Sequence, residues 1–195
     1  MKKRDLHPGN VLCSTLPIIG DLGLSILQSE ADDIKEITGV MPYLAPELLS
    51  GRASYSQATD VYAFGIIMWE ISSHEKPFLE IVHDQQLALR IFRGLRPTIT
   101  DDTPQFYRDL MQQCWHSDPT QRPTAKEIHK LTGNWYANPT QDIQYQIEKA
   151  EAIRVRITST KKEIKLQHPG AIYTSRLMPN ISKGKEIIFY IHVLL

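Results

Sequence analysis

The sequence predicts a mainly α-helical domain followed by a helical tail, and three observations carry that reading. From Val61 to Ile71 nearly every residue is apolar and Glu70 is the only charge. A helix that is apolar all round belongs in a core. Residues 84–93 and 104–115 place apolar side chains at helical spacing on otherwise polar segments, the pattern of helices lying on a core. Residues 142–156 are polar except for one stripe, Ile143, Ile147, Ala150 and Ile153.

In chain order, Ile18-Ile19-Gly20 is a short apolar run that predicts a strand ending at Asp21. A polar stretch, Ser29-Glu30-Ala31-Asp32-Asp33, precedes Gly39-Val40-Met41-Pro42-Tyr43-Leu44-Ala45-Pro46-Glu47. The all-apolar helix over 61–71 is the scaffold. The next helix, Asp84 to Arg93, is closed by Gly94 and Pro97. Pro104 suits a first helical turn, and Phe106, Leu110, Met111 and Cys114 recur at helical spacing toward Trp115. Thr124 is a natural cap after Pro123 for a helix running to about His129 or beyond. Asn138-Pro139 marks a boundary. The expected organisation is a domain over 1–137, a helical extension over 138–156 and a tail over 157–195. Residues 157–186 are lysine-rich and broken by Pro169-Gly170 and Pro179, which predicts loose order. Ile187 to Leu195 is β-branched, aromatic and free of proline, the composition of an aggregation-prone strand.

Composition narrows the function classes. Acidic and basic residues number 22 each, so no electrostatic footprint for nucleic acid or membrane is expected. Two cysteines, Cys13 and Cys114, make no disulfide framework and no C-x-x-C pair, which favours a reducing, cytoplasmic setting. The seven histidines have no zinc-ligand spacing. The longest apolar run, 187–195, is too short to span a bilayer as a helix. Polar residues Asp5, His7 and Asn10 interrupt the region where a signal peptide would be apolar.

The chemistry-bearing residues fall into ordered motifs. Arg4-Asp5-Leu6-His7-Pro8-Gly9-Asn10 is followed by Asp21-Leu22-Gly23, then Ala45-Pro46-Glu47, then Thr59-Asp60-Val61-Tyr62-Ala63-Phe64-Gly65, then Cys114-Trp115 with Asp118-Pro119 and Arg122-Pro123. Together these resemble the C-terminal lobe of a eukaryotic protein kinase catalytic domain over residues 3 to about 135, of the tyrosine-kinase-like branch. A lone D-x-x-x-x-N would carry no weight, but five motifs in family order do. The resemblance implies ATP- and Mg2+-dependent phosphoryl transfer to a protein substrate, on Ser/Thr and conceivably Tyr. It makes Asp5 the catalytic base and Asn10 and Asp21 the metal ligands. Arg4 would read the activation segment, which holds Thr38, Tyr43 and Glu47. Asp60 would brace the catalytic loop, and Glu47 would pair with Arg122.

The sequence departs from the family in several places. Lys3 stands where histidine is usual, and His7 and Val40 stand where serine/threonine kinases carry lysine and threonine. Valine has no hydroxyl to donate. No G-x-G-x-x-G and no Val-Ala-Ile-Lys occur anywhere in the sequence, so the expectation is a C-lobe with the N-lobe absent and no turnover by this chain alone. The competing expectations are a non-catalytic kinase-like binding module and an incomplete gene product. The all-apolar central helix also leads to the expectation of an open apolar face that a partner protein would cover.

Overall fold

The computed structural model describes residues 6–13, 17–19, 37–51, 53–159 and 165–178. Arg4, Asp5, Asp21, residues 29–33 and the apolar run 187–195 lie outside them. The described residues form a mainly helical body with two small β ladders. A 3-10 turn, Pro8–Asn10, leads into strand β1 (Val11–Cys13), which pairs antiparallel with β2 (Pro17–Ile19), Val11 opposite Ile19. Then come β3 (Thr38–Gly39) and helices α1 (Pro46–Leu49), α2 (Gln57–Ser73), α3 (Gln85–Phe92), α4 (Gln105–Cys114), α5 (Ala125–Ala137) and α6 (Gln141–Ser159). Strand β4 (Arg176–Leu177) closes the order. None of the described helices is long and apolar enough to cross a membrane.

Helix α2 is the axis of the body. Its start is fixed reciprocally, with Ser56 Oγ accepting from the Thr59 N–H at 3.2 Å and Thr59 Oγ1 accepting from the Ser56 N–H at 3.0 Å, which satisfies donors that a helix start otherwise leaves unpaired. Its end is set by His74 in the left-handed conformation, φ 56°. Between the caps, Val61, Tyr62, Ala63, Ile66, Ile67, Met68 and Trp69 are all buried, while Ile71 stands 62% exposed. The broad open face expected from the sequence is therefore not found on this helix. The 3-10 turn Met41–Tyr43, helix α4 and the turn Pro119–Gln121 pack on it, and Tyr173 and Met178 from the C-terminal region join the same core.

The closest approach in the body is between α2 and α4. A Cβ on Gly65 would lie 2.9 Å from the Cβ of Cys114 and 3.1 Å from the Trp115 backbone nitrogen. The helices touch because position 65 has no side chain. Gly65→Ala is expected to destabilise the fold by about 1–3 kcal/mol, the usual cost of overpacking, despite alanine's better helix propensity; a denaturation midpoint at or above that of the parent would contradict it.

The remaining helices are local solutions to capping and burial. Asp84 caps α3, its Oδ1 accepting from the Gln86 and Leu87 N–H groups at 3.0 Å each, and Leu87, Ala88 and Ile91 face inward. Thr124 and Glu127 cap α5 in the same reciprocal way as α2. Helix α5 runs on to Ala137, within the expected extent of about His129 or beyond, and Trp135 near its end meets Phe106 edge-on at 4.8 Å between ring centroids. Helix α6 crosses α4 with Gln146 Oε1 accepting from the Phe106 N–H at 3.0 Å, and Arg154 Nε donates to Asp102 at 3.0 Å. Of its apolar stripe, Ala150 is buried, Ile143 and Ile153 are half-buried and Ile147 is exposed.

Residues 165–178 differ from the loose order their composition predicts. Their backbone polar groups are paired with the body: the His168 N–H to Leu79 O at 3.0 Å, the His83 N–H to Gly170 O at 2.9 Å, and the Met178 N–H to Ile37 O at 2.7 Å. Strand β4 pairs antiparallel with β3, Thr38 opposite Leu177 and Gly39 opposite Arg176. Ala171 and Met178 are buried. A polar average composition conceals these few anchors, and paired backbone groups remove the cost of burying them.

Candidate functional site

The residues that follow Asp5 are held in a tight turn. The Asn10 N–H donates to His7 O at 2.9 Å, and the Gly9 N–H donates to His7 Nδ1 at 3.1 Å. Gly9 is required for this closeness, since a Cβ there would lie 2.8 Å from His7 Cε1. Asn10 is buried at the start of the β1–β2 hairpin. Leu6 and Asp60 line one small cavity together with Val40, Tyr43 and Tyr55. Asp60 thus shares a cavity with the residue that follows Asp5, and the His7 ring centroid lies 6.3 Å from that of Tyr43.

The segment 38–47 is pinned along its length. Tyr55 Oη accepts from the Thr38 N–H at 3.1 Å and donates to Thr38 O at 2.5 Å, so one hydroxyl holds both backbone groups of the residue. Val40 to Pro46 are buried. Tyr43 is 5% exposed and its hydroxyl donates to Glu70 Oε2. Burial pushes the Tyr43 hydroxyl above the usual phenol range, and the Glu70 charge adds to that. Burial likewise raises the Glu70 carboxyl, against the opposing effect of the Tyr43 hydrogen bond and Lys76. Tyr43 is thus a protonated donor committed to the one charge of α2's apolar stretch.

Glu47 and Arg122 meet in a two-pronged ion pair. Arg122 Nη1 donates to Glu47 Oε1 at 2.7 Å and Nη2 to Oε2 at 2.8 Å. Arg122 also donates to Ala58 O at 2.9 Å and to His116 O at 2.8 Å. Its side chain is 0% exposed and that of Glu47 13%. The Arg122 guanidinium lies 5.2 Å from the Tyr62 ring centroid and that of Arg96 5.0 Å. Arg96 in turn donates to Trp115 O at 3.0 Å and to Ile91 O at 3.0 Å. Burial pushes the Tyr62 hydroxyl up to about 12 despite the two cations.

The structure thus brings Glu47 to Arg122, puts Asp60 and Leu6 on one cavity, and holds Thr38 by its backbone. Arg4, Asp5 and Asp21 lie outside the described residues. Sequence reasoning missed Tyr43's bond to Glu70, the Tyr55 clamp, and Tyr62 between two arginines. A signal for the first was present, because a single carboxylate in a buried helix must find a donor.

The chain matches the sequence profile of the protein tyrosine and serine/threonine kinase family over residues 2–131. It belongs to the protein kinase family. Among curated relatives, a probable serine/threonine-protein kinase of Dictyostelium discoideum is 41% identical over 114 residues, covering 58% of this chain and 12% of that protein. A putative serine/threonine-protein kinase/receptor of Acanthamoeba polyphaga mimivirus is 33% identical over 127 residues, 64% of this chain and 8% of its own. A probable LIM domain-containing serine/threonine-protein kinase of Dictyostelium discoideum is 38% identical over 131 residues, 64% and 19% respectively. The chain therefore spans under a fifth of the length of these relatives.

Two substitutions test the site's frame. Arg122→Ala leaves Glu47 without its partner and is expected to cost roughly 3–5 kcal/mol; a denaturation midpoint equal to that of the parent would show the pair to be dispensable. Tyr43→Phe keeps the ring and removes the donor to Glu70. Its expected cost is about 1–2 kcal/mol, and a replacement that is neutral in urea unfolding would mean that water serves Glu70 equally well.

Proposed function

We propose that this chain is the C-terminal lobe of a protein kinase domain of the tyrosine-kinase-like branch, over residues 1–137, with 138–156 as a helical extension. Its reaction is transfer of the terminal phosphoryl group of ATP to serine or threonine of a protein substrate. The observation that carries the reading is the buried two-pronged Glu47–Arg122 pair. It ties the end of the activation segment to the loop after α4, in a chain whose motif order is that of the family.

In this reading Asp5 accepts the proton of the attacking hydroxyl and Asp60 braces the turn that carries it. Arg4 reads the activation segment, in which Thr38 and Tyr43 serve as backbone-held and hydroxyl-held anchors. The metal ligands are Asn10 and Asp21. An amide oxygen and a carboxylate are the oxygen donors Mg2+ takes. Asn10 precedes Val11 and Asp21 follows Ile19 by two residues, and Val11 and Ile19 face each other in the β1–β2 ladder. Bound Mg2+ would neutralise charge on the phosphate oxygens. The setting is cytoplasmic, in keeping with a buried free thiol at Cys114 that burial pushes up to about 12 and so keeps unreactive.

A second reading, a kinase-like module that binds without turnover, draws on Val40. That residue is 1% exposed and packed in the core, so it offers no hydroxyl where serine/threonine kinases place threonine.

The test joins the chain to the nucleotide-binding half of a related kinase and follows radiolabel from ATP to a protein substrate. Asp5→Asn and Asp21→Ala are each expected to lower turnover by at least about a hundredfold. A chimera that folds and binds nucleotide yet transfers no label would favour the binding module, and one that transfers label equally well with either substitution would overturn the roles given to Asp5 and Asp21.

A further inference from the structure

The described end of the chain lies on a surface built to hold an extended peptide. Residues 165–178 cross the loop between α2 and α3 and finish as β4 along the free edge of β3, directly before the buried segment 40–46. That loop is shaped for the task. Phe78 adopts a left-handed backbone, φ 59°, a costly state for a bulky residue, and its carbonyl lies 3.2 Å from His83 Nε2. His83 Nδ1 lies 2.9 Å from Ile172 O and 3.1 Å from the Ile172 nitrogen, so the ring spans the loop and the tail. His83 is buried, and burial pulls its pKa below the usual imidazole range against the opposing effect of the Ile172 and Phe78 backbone contacts.

Side chains then read the segment at fixed intervals. Tyr173 stands edge-on to the His83 ring at 4.8 Å, donates to Pro77 O at 2.8 Å and carries Lys76 Nζ over its face at 4.8 Å. Arg176 donates to His83 O. Met178 is 7% exposed within the core cluster, while Leu177 points outward. Gly170 fits where a Cβ would lie 2.9 Å from Val82 Cγ1. Backbone pairing on a sheet edge supplies affinity and alternate side-chain seats supply selectivity, the logic of peptide addition to a sheet.

We infer that residues 171–178 occupy, in cis, a peptide seat made by β3 and the 77–83 loop. The seat accepts an extended protein segment of pattern Tyr-x-x-Arg-x-Met, and the tail must leave before such a segment binds. The inference rests on the reading of 38–47 as the segment that positions a protein substrate. Helix α6 brings the tail there: Arg154 holds Asp102, and Lys165 Nζ pairs with Glu75 at 2.6 Å just before the seat. A tethered ligand of this kind acts at roughly millimolar effective concentration and excludes all but tight competitors.

The test uses the full chain, without nucleotide, and a fluorescein-labelled synthetic peptide of residues 167–178 followed by anisotropy. Tyr173→Ala with Arg176→Ala loosens the tail and is expected to raise affinity for the peptide by about tenfold or more over the parent. In the loosened chain, peptide binding should also slow amide exchange at Gly39 and His83. A lock provides the reverse measurement. Thr38 and Leu177 face each other as a non-hydrogen-bonded pair, flanked by the Met178 N–H to Ile37 O bond, the arrangement with the shorter side-chain separation. Thr38→Cys with Leu177→Cys, oxidised, should lose peptide binding that the reduced chain retains. Equal binding by parent and loosened chain, or by locked and reduced chain, overturns the inference. Neither arm involves phosphoryl transfer, so failure here leaves the kinase reading standing, and loss of the kinase reading leaves these binding results intact.

Discussion

The buried guanidinium of Arg122 is the constraint on which the rest of the body depends. It satisfies both carboxylate oxygens of Glu47 and also donates to Ala58 O and His116 O. Four pieces of chain are therefore fixed by one planar group: α1, the start of α2, the loop after α4 and the turn that carries Arg122 itself. A lysine could not reproduce this, since its point charge has no fork to match a carboxylate. The pair is not a source of large net stability, because desolvating two charges offsets much of their attraction. Its contribution is geometric: the fork fixes where α1 sits, and segment 40–46 with it.

From that joint the order spreads inward. Tyr62 lies within cation–π range of both Arg122 and Arg96, and Arg96 extends the network to the end of α3 and to Trp115. Tyr43 and Glu70 make a second, smaller joint further along α2. Between the two, α2 presses on α4 at Gly65 with no intervening side chain. The segment that would position a substrate is thus backed by a helix that has little room to shift, which is what a site built on rigid elements requires.

Much of this was legible in the sequence, for identifiable reasons. The apolar run 61–71 had to be a buried helix, Gly94 with Pro97 had to end α3, and Thr124 with Glu127 carried a capping pattern. The partnership of Glu47 with Arg122 was readable only through family resemblance, because nothing local to either residue points 75 positions along the chain. The extent of α5 was not legible, since its last turns are held by Trp135 against Phe106, a tertiary contact that overrides weak local preference. The cover over α2 was misjudged for a related reason. Tyr173 and Met178 complete that core, yet they sit in a stretch whose composition is that of a loose tail.

That last case shows how a segment of poor intrinsic order becomes fixed. Residues 165–178 bury few apolar side chains and hold no helix, so free in solution they would pay more conformational entropy than they could recover. On the body the balance changes: Thr38 in β3 is held through both backbone groups by Tyr55, and the Pro77 carbonyl accepts from Tyr173. Binding to a preformed seat spares the cost of ordering the receptor, and the tether through α6 spares most of the cost of association. What holds the tail to the body is a few hydrogen bonds and two buried side chains, Ala171 and Met178. A contact of that size can hold a seat closed against weak ligands and still yield to a segment that presents the same groups with greater affinity.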